Sequence, residues 1–460
     1  MSGGKGAIRA RTAYMGFAAF GVFWGVWGAS VPAIRAQAEL SDGQLGTALL
    51  FIGAGALPAM LVTGRAVDRW GLRVAALLLV TLGAAGTLVA VAGRDFWSLS
   101  AGMALLGASS GAADVAINSA AASAERASGR PVITRAHGTF SAMVVAGSLS
   151  AGLLLGGLGV PVVVPFLLVA GVAAGAALGV VADRRAVPAV GGTGPVDEET
   201  AVGGTGSVSA GTVPVTEGAG SGTAGTAQVS GETAPDATGA VRGGERRGYR
   251  GRAVRLFPLL MVGGLGALAF AVENAHQSWG AVYLADVADA GPALAAAGPA
   301  VFAAVVALTR FAAGAVGARH AATVLVSGAV TAAAGTALVS VATAVPVVLL
   351  GLALAATGTA VLFPMLMGVV AAHVGEAARG RATSVVTTVA YLGFLAGPVY
   401  VGRWAEATGL PGAMAAVAAL AAALALLTWP LLRAAVGTGL PWDSSRSDLE
   451  RVKDVTAHTS

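Results

Sequence analysis

Long apolar runs recur along this chain and limit its possible folds more than anything else in it. They fall near residues 12–33, 43–63, 74–93, 96–121, 138–158 and 161–182, and again near 256–279, 294–316, 321–342, 346–371, 383–403 and 412–433. Each is close to the ~20 residues that an α-helix needs to cross a hydrocarbon core of ~30 Å. Lipid offers the backbone no hydrogen bonds, so a spanning segment must satisfy its own amides. Runs this long and uniform do so as helices and not as barrel strands. Composition agrees: 11 % of residues are charged, where a soluble domain carries about 25 %, and the mean hydropathy is +0.77. An all-α polytopic membrane protein with twelve transmembrane helices is expected.

The runs divide the chain into residues 1–185, an N-terminal six-helix bundle, and residues 251–435, a C-terminal six-helix bundle. Between them, 186–250 is rich in Gly, Thr, Ala, Ser, Val and Pro with no helical or strand period, and reads as a disordered cytoplasmic linker. Residues 436–460 form a cytoplasmic tail. The linker's G-S-G-T-A-G at 220–225 matches a dinucleotide-loop pattern only formally, since no strand precedes it and no helix follows.

Basic residues orient the chain. With the N-terminus in the cytoplasm, all of the 28 lysines and arginines except Arg35, Arg94 and Arg403 fall on the cytoplasmic side, as the positive-inside rule requires. Both termini are then cytoplasmic. The basic balance (sequence pI about 10.1) is thus a topological signal and not a nucleic-acid footprint. Arginine greatly outnumbers lysine, which points to a GC-rich bacterial genome and a multi-pass protein of the cell membrane. The first run lacks an A-x-A cleavage site and reads as a span and not as a cleaved signal peptide. Absent cysteine excludes a disulfide framework and thiolate chemistry.

One short connection carries a specific pattern, G-R-A-V-D-R-W-G-L-R at 64–73. Gly64 and Gly71 are expected to permit a tight turn, and Asp68 to pair with arginines such as Arg69 or Arg73 and with a neighbouring helix end, latching a cytoplasmic gate. The loop resembles the signature G-x-x-x-D-R-x-G-x-R of the major facilitator superfamily. The equivalent place in the second half, T-R-F-A-A-G-A-V-G-A-R at 309–319, keeps Arg310 but has Gly314 or Ala315 where an Asp is expected, so the second latch is degenerate. The halves also echo one another in E-R-A-S-G-R (125–130) and E-A-A-R-G-R (376–381), as parallel six-helix repeats would.

Within the spans, polar residues are costly and mark function by default. Asp114 and Asn118 are four apart on one helix face. Asp114 either exchanges a proton or is a structural carboxylate held by Asn118. In A-V-E-N-A-H-Q-S-W-G (271–280), Glu273, His276 and Gln277 are assigned to one face with Asn274 flanking it. That face looks into the bundle unless the span ends near Phe270. Arg310 either snorkels to the cytoplasmic edge or pairs with an anion. Trp24, Trp27, Tyr391 and Phe394 wall a cavity or simply pack, and His137 either sits at the cytoplasmic interface or has a gating or proton role. Small residues at four-residue spacing, such as Gly21 and Gly25, Gly147 and Ala151, Gly152 and Gly156, allow close helix approach. Glu273 with His276 lacks a third ligand, so no metal site is expected.

G-x-x-D-V-A-x-N in the fourth run, R-x-H-G before the fifth, E-x-x-x-x-x-W at 273–279 and Y-L-G-F-L-x-G-P at 391–398 resemble a bacterial sugar-permease-like branch related to fucose permeases. The resemblance implies the major-facilitator fold of two six-helix bundles, and a secondary active transporter working by alternating access, with a small-molecule substrate and proton coupling at Asp114, Glu273 or both. The chain departs from the branch in having no carboxylate in its first span, Asn274 for a usual glycine and Ser278 for a common acid, so a sugar-uptake mechanism does not carry over intact. Sugar-like uptake and export of an amphipathic metabolite both remain open. A non-transporting receptor on the same fold is the rival from another class. No Walker A pattern, nucleophile–base pair or cofactor motif is present, so an enzyme and a bound cofactor are not expected. The expected partners are the substrate, the proton and the lipid bilayer, with the chain a monomer.

Overall fold

The computed structural model describes residues 2–185, 256–313 and 321–437. The linker 186–250 with its 220–225 motif, residues 314–320 with Gly314 and Ala315, and the tail beyond Gly437 lie outside the described residues. Among those described there are helices and no strands. In chain order they are α1 (Ser2–Gln37), α2 (Asp42–Trp70), α3 (Leu72–Ala92), α4 (Phe96–Ser128), α5 (Val132–Gly152) and α6 (Val163–Arg185). The second series is α7 (Leu256–Asp286), α8 (Pro292–Ala295), α9 (Ala297–Ala313), α10 (Ala321–Val341), α11 (Val345–Ala360), α12 (Leu362–His373) and α13 (Glu376–Gly437).

Eleven of the helical stretches are long and apolar enough to cross a membrane, and the last of them runs for 58 residues. At 1.5 Å per residue that would be roughly 87 Å, far beyond one bilayer. The backbone breaks at Gly409, whose φ of 76° is non-helical. Tyr400 Oη donates to Ala416 O at 3.2 Å, although sixteen residues of straight helix would hold them ~24 Å apart. The chain therefore doubles back at Gly409, and α13 supplies the last two of the twelve crossings. The tenth crossing is shared by α11 and α12, interrupted at Val361.

Helix ends follow local chemistry. At α2 the Ser41 hydroxyl accepts from the Gln44 amide while the Gln44 side chain accepts from the Ser41 amide. At α4 the Asp95 carboxylate accepts from the amides of Trp97 and Ser98. Each reciprocal cap satisfies orphan donors where the chain enters the membrane. The α2–α3 turn hinges on Gly71, at φ 62° and ψ −147°, a region essentially reserved for glycine. Gly64 does not take part in that turn: it lies inside α2, because the helix continues to Trp70.

The packing repeats. In the first half α1 pairs with α5, α2 with α4 and α3 with α6; in the second, α7 pairs with α13, α9 with α11 and α10 with α13. The small-residue spacing has its expected use, since Gly21 and Gly25 bring α1 against the α5 backbone at Phe140 and Val144. The ion pairs and hydrogen bonds between the halves gather at the end of the molecule that bears Arg35. There α1, α2 and α5 meet α7, α13 and the α8–α9 segment. Arg35 bonds to Asp42 of its own half at 2.9 Å and also to Asp286 of the other. Ser41 Oγ donates to Glu406 at 3.4 Å, and Ser148 Oγ donates to Ala296 O at 2.8 Å. At the opposite end Arg69, Trp70 and Arg73 are exposed, and Asp68 forms no ion pair among the described residues.

Candidate functional site

α7 is one unbroken helix through A-V-E-N-A-H-Q-S-W-G, which removes the alternative of an early end near Phe270. At 1.5 Å per residue Glu273 stands about 25 Å from Leu256 and about 20 Å short of Asp286, near the middle of the helix. Glu273 and Asn274 are both buried.

A cavity of about 340 Å³ opens beside them, between the two halves. The first half contributes Phe20 and Trp24 from α1, Ser110 and Asp114 from α4, and Phe140 from α5. The second contributes Phe270, Glu273, Asn274 and Gln277 from α7. Arg310 enters from α9, and Tyr391 and Phe394 from α13. Gly53, Ala56 and Met60 line it on the α2 side. The volume is in the range of small-molecule sites.

Two carboxylates face this space in different circumstances. Glu273 Oε1 accepts from Gln277 Nε2 at 3.0 Å and from Arg310 Nη2 at 3.3 Å. The Arg310 Nε donates to Ala360 O at 3.1 Å. Ala360 is the last residue of α11, where the break at Val361 leaves carbonyls without intrahelical donors. Of the two roles open to Arg310, pairing with a carboxylate is therefore the one realised. Asp114 is held within its own helix: Asn118 Nδ2 donates to Asp114 Oδ1 and to Asp114 O, both at 2.9 Å. No Lys, Arg or His of the described residues pairs with it.

Asn274 Nδ2 donates to Phe394 O at 2.7 Å, while its Oδ1 accepts from Ser278 Oγ at 2.9 Å. The amide thus ties α7 to α13.

Three predicted cavity residues do not line it. His276 is not on the face of Glu273 and Gln277. Its Nδ1 bonds to Val272 O at 2.7 Å, its Nε2 meets Thr336 Oγ1 at 3.0 Å, and its ring stacks on Phe302 with centroids 5.7 Å apart. The cavity stripe is Phe270, Glu273, Asn274 and Gln277, at i, i+3, i+4 and i+7. With 3.6 residues per turn, position 276 lies roughly 110° from the centre of that stripe. Trp27 likewise turns away and packs edge-on to Phe166 of α6 at 6.4 Å. Asn118 acts behind Asp114 and does not line the cavity. His137 lies against Phe17, edge-on at 4.9 Å.

The sequence reading missed Phe20, Phe140 and Phe270. Phe20 precedes Trp24 by four residues, and Phe270 precedes Asn274 by four. That spacing was a usable signal, obscured because phenylalanine is ordinary in any apolar span.

Among the described residues no group of three or more His, Asp or Glu could hold a metal.

No curated protein matches the chain. Solved structures do. A bacterial homolog of the human lysosomal transporter Spinster, in an inward-facing and occupied conformation, aligns over 92 % of this chain and 96 % of its own, at TM-score 0.61 and 15 % identity. The nucleoside transporter NupG aligns over 93 % of this chain and 99 % of its own, at TM-score 0.60 and 13 % identity. At such identities the likeness is one of fold. The family model described as Major Facilitator Superfamily matches residues 12–398, a stretch that runs from α1 into the first arm of α13 and takes in every residue lining the cavity. The chain belongs to the major facilitator superfamily of membrane transporters.

Proposed function

We propose that the protein is a proton-coupled secondary transporter of a small solute, working by alternating access in a cell membrane with both termini in the cytoplasm. The observation that carries this reading is the cavity between the halves, about 340 Å³, lined from one side by Asp114 and from the other by the Glu273–Arg310 pair. Asp114 has the neutral Asn118 amide as donor but no cationic partner among the described residues, so its charge is left for a proton or a solute to balance. The Arg35 end, which the basic residues assign to the outside, carries the ion pairs and hydrogen bonds between the halves among the described residues, and the 64–73 end carries none. That arrangement corresponds to an inward-facing state, in which Asp68, Arg69 and Arg73 stand apart and would engage when the cytoplasmic end closes.

Export of an amphipathic solute is favoured over sugar uptake. A sugar needs several free hydrogen-bonding groups, whereas Glu273, Asn274, Gln277 and Arg310 each already hold a partner among themselves, Ser278 or a backbone carbonyl.

Purified protein in proteoliposomes under an imposed proton gradient tests the reading against a broad solute panel. Asp114→Asn is expected to abolish gradient-driven accumulation and its dependence on pH, with Glu273→Gln as the companion. Unchanged flux and pH dependence in both variants would sink the coupling assignment.

A further inference from the structure

The charges and rings of the cavity identify a class of solute; this step rests on the transport reading above and deepens it. Four of the polar groups already hold partners. Glu273 is compensated by Arg310 at 3.3 Å, Gln277 donates to Glu273, and both ends of the Asn274 amide are engaged. Ser110 and Tyr391, by contrast, line the cavity with hydroxyls that make no hydrogen bond to the described residues. Asp114 is the remaining charge. Asn118 holds its Oδ1 and no cation of the described residues lies within ion-pair distance, so an ionised Asp114 leaves the site with one uncompensated negative charge.

The rings lining the cavity come in two groups, one from each half. In the first half Phe20 lies 6.3 Å from Trp24 and 5.7 Å from Phe140. In the second Tyr391 lies 5.7 Å from Phe270 and 6.1 Å from Phe394. Aromatic walls from both halves suit a planar guest, and the negative faces of such rings attract positive charge. An anionic guest would meet Asp114 and find Arg310 already paired.

We infer that the cavity between the halves takes a monovalent organic cation with a flat aromatic body, bracketed by the rings of the two halves, its positive charge met by the Asp114 carboxylate.

Equilibrium binding to the full chain in lipid nanodiscs, with empty discs as background, tests this with three probes of nearly one shape: 1-methyl-4-phenylpyridinium, neutral 4-methylbiphenyl and biphenyl-4-carboxylate. The cation is expected to bind about ten-fold or more tighter than either of the others. Asp114→Asn should erase the preference for the cation while retaining the affinity for 4-methylbiphenyl, which also reports that the variant is folded. Trp24→Ala should weaken the cation and the neutral probe alike.

If the wild-type protein binds the cation no better than 4-methylbiphenyl, or if Asp114→Asn keeps the preference, the inference is overturned. The wild-type ranking decides alone should that variant not fold. Cation binding without flux in vesicles would remove the transport reading and leave this one standing. Proton-driven flux of other solutes with no preference for the cation would do the reverse.

Discussion

Among single residues, the Glu273–Arg310 pair and His276 separate site from scaffold. Removing Arg310 leaves Glu273 buried with only Gln277 as donor. Arg310→Ala is therefore expected to lower stability by about 1–2 kcal/mol, taking the usual worth of a charged hydrogen bond and discounting it for the 42 % exposure of the arginine side chain. Adding Glu273→Gln should restore most of the loss. A thermal-shift series on the two single variants and the double variant reads this directly, and strictly additive losses would contradict the pairing. His276 has its partners in Val272, Thr336 and Phe302, away from the cavity. His276→Ala should cost about 1–3 kcal/mol through the broken hydrogen bonds, yet leave the affinity for a cavity-bound probe unchanged. Loss of binding at unchanged melting temperature would return His276 to the site.

Elements are shaped by their ends and by their closest approaches. Gly71 carries the α2–α3 turn at a backbone conformation that side chains strongly disfavour, and it is one of the residues of the 64–73 signature. Gly71→Ala is expected to destabilise the protein by about 1–3 kcal/mol. Gly64→Ala, at a position inside α2 where an added Cβ meets nothing within 4 Å, should be tolerated. Comparing the melting temperatures of the two variants checks the assignment, and equal effects would mean that the turn is not where the strain lies. The α13 break has the same logic at Gly409. A sequence count separates the last two crossings by their apolar runs, and the backbone does so by one positive φ.

The whole molecule is held together at one end. Arg35 spans the halves by bonding to both Asp42 and Asp286, and Ser41, Glu406, Ser148 and Ala296 add neutral or half-charged bonds around it. A ligand or a mutation shifts such an equilibrium only by its differential effect on the two states. Arg35→Ala removes bonds made in the state described here, so it should raise the population open at the Arg35 end. Because the chain has no cysteine, Ala36→Cys with Leu294→Cys, both exposed at that end, can be spin-labelled without removing others. The inter-label distance distribution should gain a longer component in Arg35→Ala. An unchanged distribution would mean that apolar packing, and not the ion pairs, closes this end.

Residue order alone dictates that the chain crosses a membrane, how many times, and which costly polar residues fall within or beside the apolar runs. Lipid forces each span to satisfy its own backbone, so length and apolarity are local properties that a one-dimensional reading captures. The signature loop at 64–73 was legible for the same reason, being a contiguous pattern. Asp114 and Glu273 stood out because a carboxylate in an apolar run is conspicuous wherever it points. Their company, by contrast, is a matter of tertiary packing. The rotation of each helix about its axis depends on which neighbours it packs against, and a difference of one residue is about 100°. That rotation sent His276 and Trp27 into the scaffold, brought Arg310 to Glu273 across 37 positions of chain, and set Phe20, Trp24 and Phe140 opposite Phe270, Tyr391 and Phe394. A site made between two halves exists only once the halves meet, and no local pattern records that meeting.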